Sequence, residues 1–174
     1  MNALVVYESM FGNTRTIAEA IADGLRSAGV DVTVSLAYDA PADLSDYALV
    51  VVGAPTHAHG LPRTTSRNEA VAWAADPAKN LLLEPMAQAT GVREWLARMM
   101  LVGDPHFAVF STRADIPWIF SGDACKAIAK GLRKRLAQVD SHSDFLVGLD
   151  NRLVEGEETR AREWANGLVP LPIA

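Results

Sequence analysis

Two hydrophobic rhythms take turns along this chain. Ala3-Leu-Val-Val-Tyr7 is a continuous apolar run of the length that a strand covered on both faces needs. From Thr14 to Ala28, Ile17, Ile21 and Leu25 recur every fourth position beside Ala18 and Ala22. Glu19, Asp23 and Arg26 fall on other faces, so the segment predicts an amphipathic helix, which Gly29 ends. Val30–Leu36 alternates strictly and predicts a strand with one polar side, whereas Tyr47–Gly53 is apolar throughout and predicts an interior strand. Two helical stretches follow, Ser66–Ala75 stopped by Asp76-Pro77, and Gly91–Leu101 with Val92, Trp95, Leu96, Met99 and Met100 on one face. Asn80–Thr90 has no placement. Phe107–Phe110 predicts a fourth strand, Ala124–Leu136 a helix, Asp144–Gly148 a fifth strand and Glu155–Leu168 a last helix with glutamates in its first turn.

Five strands alternating with helices predict an α/β fold, a three-layer sandwich about a five-stranded parallel sheet, in one domain over residues 1–174. An edge-like second strand between interior first and third strands fits the order 2-1-3-4-5. In that order ligands gather beyond the carboxyl ends of strands one and three.

The residues found at those ends carry chemistry. Glu8-Ser-Met-Phe-Gly-Asn-Thr14 joins the first strand to the first helix. The orphan N–H groups and dipole of a helix N-terminus favour an anion there. Ser9, Asn13, Thr14 and Thr16 add neutral donors, and Gly12 removes a Cβ from the approach. The Walker pattern G-x-x-x-x-G-K-[ST] and the dinucleotide pattern G-x-G-x-x-G are both missing, and no cysteine offers a nucleophile. A mononucleotide phosphate is the remaining fit, with an ordinary N-cap made by Asn13 or Thr14 as the plainer alternative. A second turn, Pro55-Thr-His-Ala-His-Gly60, sets backbone groups and flat imidazoles beside the same crevice. His57 and His59 also make an H-x-H pair, but a metal site needs another ligand, and His106 and His142 are the only other histidines. A third turn, Ser111-Thr-Arg-Ala-Asp-Ile-Pro-Trp118, leaves the fourth strand. Its Arg113 has a plainer reading as a surface partner of Asp115 or Asp104. Trp73 and Trp95 could stack on a bound ring, but on amphipathic helices they read first as core residues.

S-M-F-G-N-T after a buried strand, P-T-H-A-H-G after the third and F-S-T-R after the fourth resemble the three flavin-contacting loops of the flavodoxin family. The resemblance implies a flavodoxin-like fold and an FMN cofactor. It implies binding through Ser9, Met10, Phe11, Gly12, Asn13 and Thr14 at the phosphate, and Pro55, Thr56, His57, Ala58, His59 and Gly60 at the ring. Thr112, Arg113 and Asp115 would lie at the pyrimidine edge. The family's usual tryptophan and tyrosine around the ring have no match in the second turn, and only Trp118 is an aromatic candidate in the third. Electron carriage between redox partner proteins, or to a small-molecule acceptor, is the implied function. An FMN-dependent NAD(P)H:quinone or small-molecule oxidoreductase on the same fold is the alternative, tested by turnover with NADPH and a quinone. A flavin-free interaction domain is a further one, and a receiver-like domain is disfavoured because the third strand ends in Gly-Ala-Pro without a phosphoacceptor aspartate.

Composition narrows the partners. A net charge of −5 argues against nucleic acid, and no apolar run approaches a membrane span. A single cysteine, Cys125, rules out an internal disulfide and predicts a small packing residue. The expected location is the cytoplasm, since the first strand begins too early for a signal peptide. Lys126, Lys130, Arg133, Lys134 and Arg135 on one predicted helix read as a solvated face.

Overall fold

The structure, a computed structural model, describes residues 1–57, 60–117 and 121–169. Five parallel strands, β1 (Asn2–Tyr7), β2 (Asp31–Leu36), β3 (Leu49–Pro55), β4 (His106–Ala114) and β5 (Val139–Val147), form one sheet in the order β2-β1-β3-β4-β5. Every ladder is parallel, with Ala3 beside Val32 on one side and Leu49 on the other. The predicted order is therefore the observed one.

The alternation of side chains through the sheet builds two cores. Ala3, Val5 and Val51 point to the face covered by α1 (Asn13–Ser27) and α5 (Glu157–Asn166), joined there by Phe110 and Phe145. Leu4, Val6, Val50 and Val52 point to the other, covered by α3 (Val92–Arg98) and α4 (Ala124–Arg133). Helices α1 and α5 pack so closely that a Cβ on Gly24 would stand 2.5 Å from the Arg162 carbonyl oxygen. Gly29, at φ +80°, ends α1 as predicted, its N–H bonding Arg26 O at 2.9 Å.

Several boundaries differ from the sequence expectation. β4 continues through Ser111–Ala114, because Pro55 pairs with Thr112 on one side and Phe145 on the other. β5 begins at Val139, its polar residues alternating along an edge strand. α3 ends at Arg98, where the chain turns to bond Met100 N to Ala42 O, leaving Met100 half exposed and off the buried face. α2 (Thr64–Ala75) buries only Ser66, Arg67 and Ala70, so it lies outside both main cores. No helix among the described residues is long and apolar enough to cross a membrane.

Candidate functional site

The carboxyl ends of β1, β3, β4 and β5 open on a cavity of about 540 Å³, within the ordinary size of a small-ligand site. The loop after β1 forms its floor. Gly12 adopts φ +95°, and its N–H donates to Ser9 Oγ at 3.2 Å, which turns the chain into α1. No side chain caps α1 and no acid stands in its first turn, so the dipole end faces outward uncancelled. Met10, Phe11, Asn13 and Thr14 line the cavity, whereas buried Ser9 and Gly12 shape the loop from behind. The Thr16 hydroxyl, an expected donor, turns back to Gly12 O at 3.2 Å.

Hydroxyls tie this loop to the fourth strand: Thr14 Oγ1 lies 2.7 Å from Thr112 Oγ1. Backbone does the same between the other two turns, with Thr56 N donating to Thr112 O at 2.7 Å. The three predicted turns therefore meet in one crevice, as the strand order requires. Pro55, Thr56 and His57 line it; Gly60 instead exchanges backbone bonds with His57 at 2.9 and 3.0 Å. Ala58, His59 and Trp118 lie outside the described residues.

Thr112, Arg113 and Ala114 line the crevice from β4. Arg113 turns its Nε toward Asp144, 3.6 Å from Oδ2, rather than toward the expected Asp115 or Asp104. Its Nη1 donates to Ala114 O and Ile116 O at 3.4 and 3.3 Å. Asp115 is exposed, donates its N–H to Val147 O, and does not line the cavity.

Two contributions depart from the first reading of the sequence. Trp73 is not core: it is 40% exposed, lines the cavity and stacks on His57, with ring centroids 5.4 Å apart and planes 28° from parallel. Lys79 Nζ stands 5.7 Å from the Trp73 ring centre. Burial lowers the His57 pKa below its ordinary value, and the nearby Glu69 charge opposes only part of this, so the imidazole is neutral at pH 7. The weak apolar patterning of Thr64–Ala75 was the available signal, since a tryptophan on a helix without an apolar stripe has no core to enter. The second contribution is the turn after β5, where Val147–Asn151 line the cavity. There Asn13 Nδ2 donates to Asn151 O at 3.0 Å and Oδ1 at 3.2 Å, so this expected phosphate donor is shared with a fourth turn.

The unplaced stretch 80–90 folds onto the floor loop. Glu84 N donates to Met10 O at 2.8 Å, and Arg15 Nε donates to Glu84 Oε2 at 3.0 Å. Leu81, with Ala78 and Lys79, reaches the cavity wall.

Behind Arg113, Asp123, Cys125 and Asp144 form the one group of three potential metal ligands among the described residues. Burial first, and the Asp144 charge next, push the Cys125 thiol well above its usual range, so it is held as a neutral packing residue.

The flavodoxin family model matches residues 5–92. No curated protein matches the chain. Among solved structures, the chain is similar to a flavodoxin from the domain Archaea (20% identity, TM-score 0.61, covering 97% of this chain and 96% of that one). It is similar to oxidised flavodoxin 1 from Bacillus cereus (18% identity, TM-score 0.63, 95% of each chain). A flavodoxin of Streptococcus pneumonia TIGR4 shares 24% identity at a TM-score of 0.58, with 97% of each chain covered. At these identities the structural likeness speaks for the fold.

Proposed function

This chain belongs to the flavodoxin family, whose members bind FMN, and from that premise we propose that it is a single-domain carrier of electrons on one FMN. It passes them between redox partner proteins or to a small-molecule acceptor. Bound FMN supplies the electron-transfer chemistry, and the protein supplies grip, orientation and local charge.

The residues at hand fit the group. The uncapped first turn of α1, with Thr14 and Asn13, would hold the phosphate through neutral donors, while Ser9 and Gly12 order the loop beneath. Met10 and Phe11 would add apolar floor. Pro55, Thr56 and His57 would flank the ring on one side, and Thr112 and Arg113 on another. Trp73, stacked on His57, would keep water off the ring from the insertion side. A neutral His57 puts no positive charge beside the flavin at pH 7. The reading places this exchange in the cytoplasm, in keeping with a lone, buried, unpaired cysteine.

The observation that carries the proposal is the Thr14–Thr112 contact, which closes the anion-binding loop onto the turns proposed for the ring. Purified protein should be yellow and should release FMN, identified by chromatography, on denaturation. Colourless protein that gives no heat on titration with FMN would remove the proposal.

A further inference from the structure

We propose that the ion triad Glu8–Arg67–Glu94, buried at Glu8 and Arg67, is a positioning device for the anion-binding loop, through which the 61–105 insertion sets the preference of the site for a phosphorylated over an unphosphorylated flavin. The inference rests on the FMN reading and deepens it.

Glu8 directly precedes Ser9, and its own N–H donates to Gly53 O at 3.0 Å, which pins the end of β1 to β3. Its side chain is buried, with both carboxylate oxygens engaged by the insertion. Oε1 accepts from Arg67 Nε at 2.8 Å, and Oε2 accepts from Val92 N at 3.0 Å. Arg67, itself only 3% exposed, carries the connection onward. Its Nη1 and Nη2 donate to the two Glu94 oxygens at 3.3 and 2.8 Å, and Glu94 Oε2 also accepts from Gly91 N at 2.8 Å. At Gly91 a Cβ would stand 2.0 Å from Glu8 Oε2 and 2.5 Å from Arg67 Nη2, so the backbone of the insertion closes directly on the triad.

Stability alone does not call for this arrangement. Taking a guanidinium and a carboxylate out of water is expensive, and apolar residues of similar volume often do as well or better. What apolar packing lacks is direction. Arg67 presents a planar fork that fixes the Glu8 carboxylate in one orientation, one residue before the loop that leads into the uncapped first turn of α1. This orientation acts on the phosphate and not on a neutral ring. Arg67 is thus a positioning residue, and its signature is selective.

The test compares dissociation constants of the apoprotein for FMN and for riboflavin, by flavin fluorescence quenching, in wild type, Arg67→Lys and Glu94→Gln. Melting of each apoprotein, followed by circular dichroism, shows that the variants are folded. Lysine keeps the charge but cannot bridge both carboxylates. Glu94→Gln, at the half-exposed end of the triad, is the milder change. The expected result is a fall in the FMN-to-riboflavin preference of roughly tenfold for Arg67→Lys, and less for Glu94→Gln, with riboflavin binding nearly unchanged. Equal loss of both ligands, or an unchanged preference in folded variants, overturns the proposal. Wild type that binds neither flavin overturns it together with the FMN reading, whereas wild type that prefers FMN with a preference the variants keep overturns this inference alone.

Discussion

The hydroxyl of Thr14, in the first turn of α1, lies 2.7 Å from that of Thr112 near the end of β4, 98 residues further along the chain. Both side chains are buried, so each is the other's means of replacing water. Thr14→Val or Thr112→Val alone strands a hydroxyl and should cost about 1–3 kcal/mol of stability. The double valine variant removes both polar groups and should cost clearly less than the sum of the two. Urea unfolding of the four apoproteins measures this, and strictly additive costs would mean that the pair does not interact.

His57 makes stability depend on pH. Its folded-state pKa is lowered by burial, below the 6.5 of the unfolded chain. As pH falls, the unfolded chain takes the proton first, so stability present at pH 7 is lost from about pH 6.5 downward. Urea midpoints between pH 5 and 8 should fall more steeply with acidification in wild type than in His57→Gln. Parallel curves would show that the imidazole is not desolvated.

Trp73 should report the ligand directly. Its fluorescence should be quenched as FMN is added, and Trp73→Phe should lose that component of the quenching. Trp73→Ala should weaken FMN binding by roughly tenfold, the loss of a stacked aromatic face. Full-strength binding by the alanine variant would place the ring elsewhere in the crevice.

Gly24 has no room for a methyl group, because the Arg162 carbonyl oxygen and the Ala165 Cβ stand 2.5 and 2.9 Å from where one would sit. Gly24→Ala should therefore destabilise the fold by about 1–3 kcal/mol despite alanine's better helix propensity. A raised melting temperature would contradict the close approach of α1 and α5.

Cys125 should resist thiol reagents. It is buried, donates to Ser143 O and Asp144 Oδ1, and has its pKa raised by burial. Modification of the native protein at pH 8 should proceed only as fast as the protein opens, and should become immediate in denaturant. Rapid labelling of folded protein would refute this.

The legible parts of this molecule are those that one segment writes by itself. Val50–Val52 and Leu4–Val6 are apolar on both faces, so their interior place in the sheet can be read locally, and with it the meeting of the turns after β1, β3 and β4. Ser111–Arg113 looked like loop because polarity, not pairing, is what a sequence displays; their place in β4 depends on Pro55 and Asp144 as ladder neighbours. Trp73 has two readings in sequence, core or ring stacker, and the structure favours the second because its helix has no buried stripe and His57, 16 positions away across a turn, meets its face. The Val147–Asn151 wall carried no recognisable chemistry, since it serves through position and through the Asn13–Asn151 bonds. The Glu8–Arg67–Glu94 triad was equally silent, being three ordinary charged residues until the fold closes over them.

The crevice draws its walls from residues as far apart along the chain as Met10 and Asn151. A ribosome must have released the chain beyond Asn151 before there is a complete pocket to occupy. A ligand that recognises only the assembled sheet cannot act as a seed for it; it arrives last, and locks what has already formed. Shortened fragments should therefore be blind to flavin, and retention of the cofactor becomes a single test of whether every strand has found its neighbour.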